Sequence, residues 1–292
     1  MVMIQEAVDL RGKQIVIHDI QTFQIVPPPE THEVKVNSFR SSPVVWAELI
    51  RSHPEIERLF FSHYPEHPPT YGYTTPLQGV PSDYSMSEII WTLENGLWPK
   101  SKHGEICAIS PTVGVRSASG KLDLFAFPTF DLDQQPIGTA VFDIIDSSRL
   151  VHADWSLLNT GNGLHVITND LVRLESLPLY LAGMIRMFVR TPDTREGRLA
   201  YLFADTLHTN AYRPDAIRQV CKRTLSEQPE YPRPFVDINN CALMLLEAMD
   251  ALKTPGPAGF FRISNKPSRG EKPPYLIAEQ VNRVVYKYVG TN

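Results

Sequence analysis

The sequence predicts a mixed α/β fold, and three patterns carry that prediction. Apolar residues alternate with the period of a strand over residues 122–133, Asn162-Gly163 between apolar flanks marks a hairpin, and helical signals recur from residue 178 to residue 253. At 292 residues the chain can bury a large core, either as one domain or as two lobes sharing a cleft. We read residues 1–115 as a supporting αβ lobe and residues 116–292 as the lobe that carries the chemistry, within one two-lobed unit.

The elements follow in order. Gln14-Ile15-Val16-Ile17 and Val34-Lys35-Val36 read as short strands, separated by the stiff Pro27-Pro28-Pro29 break. Ser42 before Pro43 and an apolar run starts a helix, with Ser42 in the capping role. Ser85 and Glu88 have capping-box spacing ahead of Ile89-Ile90-Trp91 and start a second. Over residues 122–133 one strand is expected, with Phe125, Phe127, Thr129, Asp131 and Asp133 on one face. Pro128 removes a ladder donor there and implies an edge or a bulge. Residues 155–167 read as a hairpin, and helices are expected at 178–190, 194–207, 214–226 and 239–253, the last apolar nearly all round and therefore buried.

Bulk properties exclude several classes. Apolar residues make up 42% and charged residues 21%, far from the disordered regime. There is no run of about 18 uncharged apolar residues, and residues 1–6 lack the basic start of a signal peptide, so a cytoplasmic protein without membrane contact is expected. The three cysteines form no Cys-x-x-Cys pair, which argues against a zinc finger or a disulfide framework. A net charge of −4 means that any nucleic-acid contact must come from local basic patches.

Two motifs carry chemistry. Phe130-Asp131-Leu132-Asp133 ends the apolar run with two acids at i and i+2, which on a strand point the same way with Cα atoms roughly 6–7 Å apart. Such a pair can serve magnesium, which is held by one or two carboxylates together with water and substrate phosphate oxygens. Thr160-Gly161-Asn162-Gly163-Leu164-His165 then offers a glycine turn whose N–H groups can receive a phosphate, with His165 donating to another phosphate oxygen. Asp237, at the end of a short apolar run, is the candidate third carboxylate, with Asp143 and Asp193 as alternatives; equally, an acid before Asn239-Asn240 can favour a helix N-terminus. Residues 253–272 hold five basic residues and one acid, a local balance of +4 that includes Arg262 and Lys266.

An apolar strand ending in Asp-x-Asp, a (Ser/Thr)-Gly-x-Gly-x-His turn and a further acid, in that order, resembles the archaeo-eukaryotic primase superfamily, including its primase-polymerases. The resemblance covers about residues 122 to 275. It implies a core like the RNA-recognition motif, with an antiparallel sheet packed against an N-terminal αβ unit and a nucleotide in the cleft between them. It further implies template-directed nucleotidyl transfer, with Asp131, Asp133 and Asp237 holding Mg2+ or Mn2+ and acting in catalysis. Thr160, Gly161, Asn162, Gly163, His165, Arg262 and Lys266 would bind the nucleotide triphosphate. The partners implied are single-stranded DNA template or primer and a helicase or other replication or repair protein. Thr160 stands where serine is common in the family, and Asn162 where a basic residue often stands.

Two other classes explain part of the pattern. A nucleotide-sugar glycosyltransferase accounts for Asp-x-Asp but leaves the glycine turn, His165 and the basic segment without roles. A single-strand-binding replication accessory that has lost catalysis would use aromatics near basic groups, for which Phe260, Phe261 and Tyr275 are the candidates if they are not core.

Overall fold

The computed structural model describes residues 5–8, 14–17, 30–64, 85–99, 106–117, 120–133, 154–161, 163–188, 195–226, 236–266 and 270–291. The mixed α/β class holds: among these residues are helices and strands in comparable amounts, the strands gathered into two sheets and a separate hairpin. That hairpin pairs β1 (Gln5–Val8) with β2 (Gln14–Ile17). Pro27-Pro28-Pro29, Asp143 and Asp193 lie outside the described residues. No described helix is long and apolar enough to cross a membrane.

The larger sheet runs in the order β3 (Glu30–Val36), β13 (Val284–Gly290), β12 (Tyr275–Val281), β8 (Trp155–Asn159), β9 (Gly163–Thr168), β7 (Thr129–Asp133). All its pairings are antiparallel except that of β3 with β13. The second sheet centres on β5 (Ile106–Arg116), buried at every position but the last. One edge of β5 carries β4 (Ile56–Tyr64); the other carries β6 (Leu122–Ala126) at one end and β11 (Phe261–Arg262) at the other, with β10 (Val172–Arg173) beyond β6. This sheet therefore takes three of its strands from beyond residue 115. Pro111 fits inside β5 because the register against β4 shifts between Leu59 and Phe61, a bulge, while the flanking Ser110 and Thr112 hydroxyls both donate to the Ala258 carbonyl.

Residues 122–133, expected as one strand, are two. Phe127 N–H donates to Pro111 O at 3.0 Å, and Thr168 N–H donates to Pro128 O at 3.0 Å, so consecutive residues bond to different sheets. Pro128 marks the crossing. Period-two alternation persists through it because each half is a genuine strand.

Helices account for the rest. α1 (Ser42–Arg51) and α2 (Met86–Glu94) pack together, and α2 carries the expected capping box, with Glu88 N–H on Ser85 Oγ at 3.3 Å and Ser85 N–H on Glu88 Oε2 at 2.8 Å. The cap of α1 is Ser41 and not Ser42. The approach to α1 is pinned to β12, with Leu276 N–H on Arg40 O and Ser42 N–H on Pro274 O, so extended backbone ends at residue 41. α3 (Leu177–Phe188), α4 (Arg195–Asn210), α5 (Pro214–Ser226) and α6 (Ile238–Ala251) fall close to the expected stretches. α6 is largely buried, as its sequence requires.

Alternation along the strands of the larger sheet divides the core in two. Leu132, Leu157, Leu164 and Val166 join the cluster formed with α3 to α6, whereas their neighbours Leu158 and Ile167 join the cluster formed with α1, α2, β4 and β5. The larger sheet is thus the middle layer, and its second face looks toward the other sheet.

Candidate active site

Asp131 stands opposite His165 in the β7–β9 ladder. The hydrogen bond from Thr168 N–H to Pro128 O makes 128/168 a hydrogen-bonded pair, so alternation makes 131/165 a non-hydrogen-bonded pair, the type whose side chains stand closer. The same alternation turns the Asp131 carbonyl away from β9 to the outside of the sheet, where it accepts the N–H of Asp237 at 3.0 Å. The candidate third acid is thereby brought beside the first. Asp237 also caps α6, its Oδ1 accepting Asn239 N–H and Asn240 N–H, both at 3.0 Å, and it is only 5% exposed.

Cys241, in the first turn of α6, registers both acids. Burial pushes its thiol well above the usual range, and the negative charges of Asp237 and Asp131 push it further. Asp133 stands opposite Gly163 in the ladder, and its side chain and Asn162 lie outside the described residues. Among the described residues no group of three or more His, Cys, Asp or Glu side chains could hold a metal ion. Asp131 and Asp237 are both carboxylates, the ligand type that magnesium or manganese takes, and what joins them here is the bond between their backbones.

His165 is buried, with its ring edge-on to Phe261 at 5.1 Å between centroids. Burial, then the positive charges of Arg262 and Lys266, lower its pKa to about 3, so the ring is neutral at pH 7. Its Nε2 lies 3.9 Å from Asp131 Oδ1, too far for a hydrogen bond, and with a neutral ring the contact is proximity and not an ion pair. Its Nδ1 is buried without a hydrogen-bond partner among the described residues.

The glycine turn closes differently from its sequence reading. Gly161 carries the positive φ, +95°, while Gly163 already belongs to β9, and Thr160 N–H donates to Gly163 O at 3.0 Å. Gly161 N–H is taken by Asn159 Oδ1 at 2.8 Å and Gly163 N–H by Thr160 Oγ1 at 3.1 Å. The N–H groups of Gly161 and Gly163, which the motif offers to a phosphate, hold the turn itself.

Arg262 is placed by β11, whose pairing with β5 sets it against Ala108. Only 6% exposed, its guanidinium donates to Ser264 O at 2.9 Å, Lys272 O at 3.1 Å and Thr160 O at 2.7 Å. It braces three backbone segments, one of them the glycine turn. Lys266 is partly exposed, with Nζ 3.4 Å from Glu271 Oε2. Sequence reasoning missed Asn159, whose Nδ2 also donates to Tyr275 OH at 2.8 Å, and Glu271, which sits between Arg262 and Lys266. Glu271 had a signal: it is the one acid in a basic segment. Of the aromatics considered for base stacking, Phe261 is core, and Phe260 and Tyr275 are half-buried.

Asp131 is thus linked to Asp237 and to His165, and Arg262 to Thr160 and, through Glu271, to Lys266, with the charges of Arg262 and Lys266 felt by the His165 ring. No protein-family model, curated protein or solved structure matches the chain.

Proposed function

We propose that the chain is a metal-dependent, template-directed nucleotidyltransferase, a primase, a polymerase or both, and a member of the archaeo-eukaryotic primase superfamily. The observation that carries the reading is the bond from Asp237 N–H to Asp131 O, which joins the first and third acids of the motif order across 106 residues of sequence beside His165. Asp131, Asp133 and Asp237 hold Mg2+ or Mn2+. When bound, such ions activate an attacking hydroxyl and stabilise the leaving pyrophosphate.

The remaining residues bind and orient. His165, neutral, offers one ring nitrogen to a phosphate oxygen as a hydrogen-bonding group and is no general base at pH 7 with its pKa near 3. Lys266, partly exposed, supplies positive charge to the triphosphate. Arg262 acts mainly through the Thr160 carbonyl, fixing the turn against which the triphosphate lies. Template or primer is single-stranded DNA, a helicase or repair factor is the natural partner, and the cytoplasm is the setting. The largely core position of Phe261 disfavours a purely base-stacking accessory.

The test is incorporation of labelled nucleotide on a primed and an unprimed single strand. The double variant Asp131→Ala/Asp133→Ala should lose at least about 1000-fold in rate, or about 4 kcal/mol of barrier. Full activity in that variant removes the metal assignment. Release of a nucleoside diphosphate from a nucleotide sugar, with no incorporation from triphosphates, moves the chain to the glycosyltransferase class.

A further inference from the structure

Of the five bases and one acid in residues 253–272, the fold sets the acid, Glu271, against two of the bases. Its Oε2 lies 3.5 Å from Arg262 Nη2 and 3.4 Å from Lys266 Nζ. The same carboxylate faces the glycine turn, since a Cβ built on Gly161 would stand 4.0 Å from Glu271 Cδ. Glu271 is 18% exposed, Arg262 6% and Lys266 26%, so water screens these charges only weakly. Reciprocal backbone bonds between Lys266 and Glu271, of 2.9 and 3.2 Å, keep carboxylate and ammonium together. A negative group beside Lys266, Arg262 and Gly161 stands where the proposed function puts a phosphate.

We propose that Glu271 is a built-in counter-anion that holds the phosphate position beside Lys266 and the glycine turn, and that a triphosphate must displace it to bind. The inference rests on the nucleotide reading of this site and deepens it. Glu271 becomes a specificity-determining residue. A ligand with one phosphate gains too little from Lys266 to replace an ion pair already made there, whereas a polyanion offsets the loss through several contacts. While Glu271 is in place, Lys266 is also shielded from adventitious anions.

The experiment measures binding of inorganic triphosphate and of inorganic phosphate by calorimetry, without metal or nucleotide, to the full chain and its variants. Glu271→Gln, which keeps the shape and removes the charge, should bind triphosphate about tenfold tighter and phosphate tighter by a larger factor, narrowing the gap between them. The gain should vanish in Glu271→Gln/Lys266→Ala. Unchanged or weaker binding by Glu271→Gln, or a gain that survives loss of Lys266, overturns the inference. Should Glu271→Gln fail to fold, Glu271→Asp, which draws the charge back by one methylene, is measured instead and should shift binding in the same direction. Incorporation is assayed separately: incorporation by the unaltered chain without a Glu271 effect removes this inference alone, and a Glu271 effect without incorporation removes the polymerase reading alone.

Discussion

The two faces of β7 and β9 are made by alternate residues of the same two strands and do opposite work. Toward α3 to α6 they present Leu132, Leu164 and Val166, each almost fully buried in a cluster of apolar side chains. Toward the second sheet they present Asp131 and His165 beside Phe261, with Arg262 and Lys266 close enough to depress the imidazole. The difference teaches how a buried strand can carry charge. One face supplies the stability that allows the other to hold groups whose burial is unfavourable, and a shift of register by one residue would exchange them.

The largest effect should come from setting the faces against each other. Leu132→Ala removes a fully buried side chain from the helix-facing cluster and should cost about 2–5 kcal/mol of stability, read as a lower urea midpoint, while activity per folded molecule changes little. Asp131→Asn should do the reverse, with stability nearly unchanged and incorporation lost. Equal destabilisation by the two variants would break the division.

A second effect isolates His165 by pH. Its folded pKa, about 3, lies below the unfolded value near 6.5, so the unfolded chain binds more protons between those values. The neutral ring's contribution is therefore fully present above about pH 6.5 and declines as pH falls toward 3, by up to about 1.4 kcal/mol per pH unit. Urea midpoints between pH 4.5 and 8 should show this component in the unaltered chain and lack it in His165→Gln. Parallel curves would mean that the ring is more hydrated than its position implies. The smallest effect concerns the turn: Gly161→Ala forces a side chain to φ +95° but meets nothing closer than 4.0 Å, so the cost should be backbone strain of roughly 1–2 kcal/mol, seen as a modestly lower melting temperature. A much larger drop would show that the turn is braced more tightly than Arg262 and Asn159 account for.

What could be read in the sequence follows from what is locally encoded. The capping box at Ser85 and Glu88, the helices from residue 177 onward and the strands around Asp131 and His165 each have signals within a few residues of themselves. β5 does not, because Ser110-Pro111-Thr112 interrupts its apolar run and only the bulge and the Ala258 carbonyl make that tolerable. Nor does the change of sheet at Pro128, since alternation says which face a residue takes and nothing about which sheet its strand joins. The turn lies one residue earlier than Asn162-Gly163, the stronger local signal, implies, because the pairing of Thr160 with Gly163 overrides that signal. The charge of Arg262 alone points to a phosphate; that one of its donors goes to the Thr160 carbonyl, beside those to the nearby Ser264 and Lys272 carbonyls, depends on a segment 102 residues away. Asp237 was legible as an acid near a helix start, but its bond to Asp131 is a property of the assembled sheet.

That bond also bears on solubility. Among the described residues β7 is the last strand of its sheet, and an outward-facing carbonyl on a terminal strand is a template for pairing with another chain. Asp237 N–H occupies the carbonyl of Asp131, so a foreign strand pairing with that position would have to displace the start of α6. Fraying of that helix would thus uncover an adhesive edge at the same moment as it dismantles the site, and loss of function and self-association would share a single local opening.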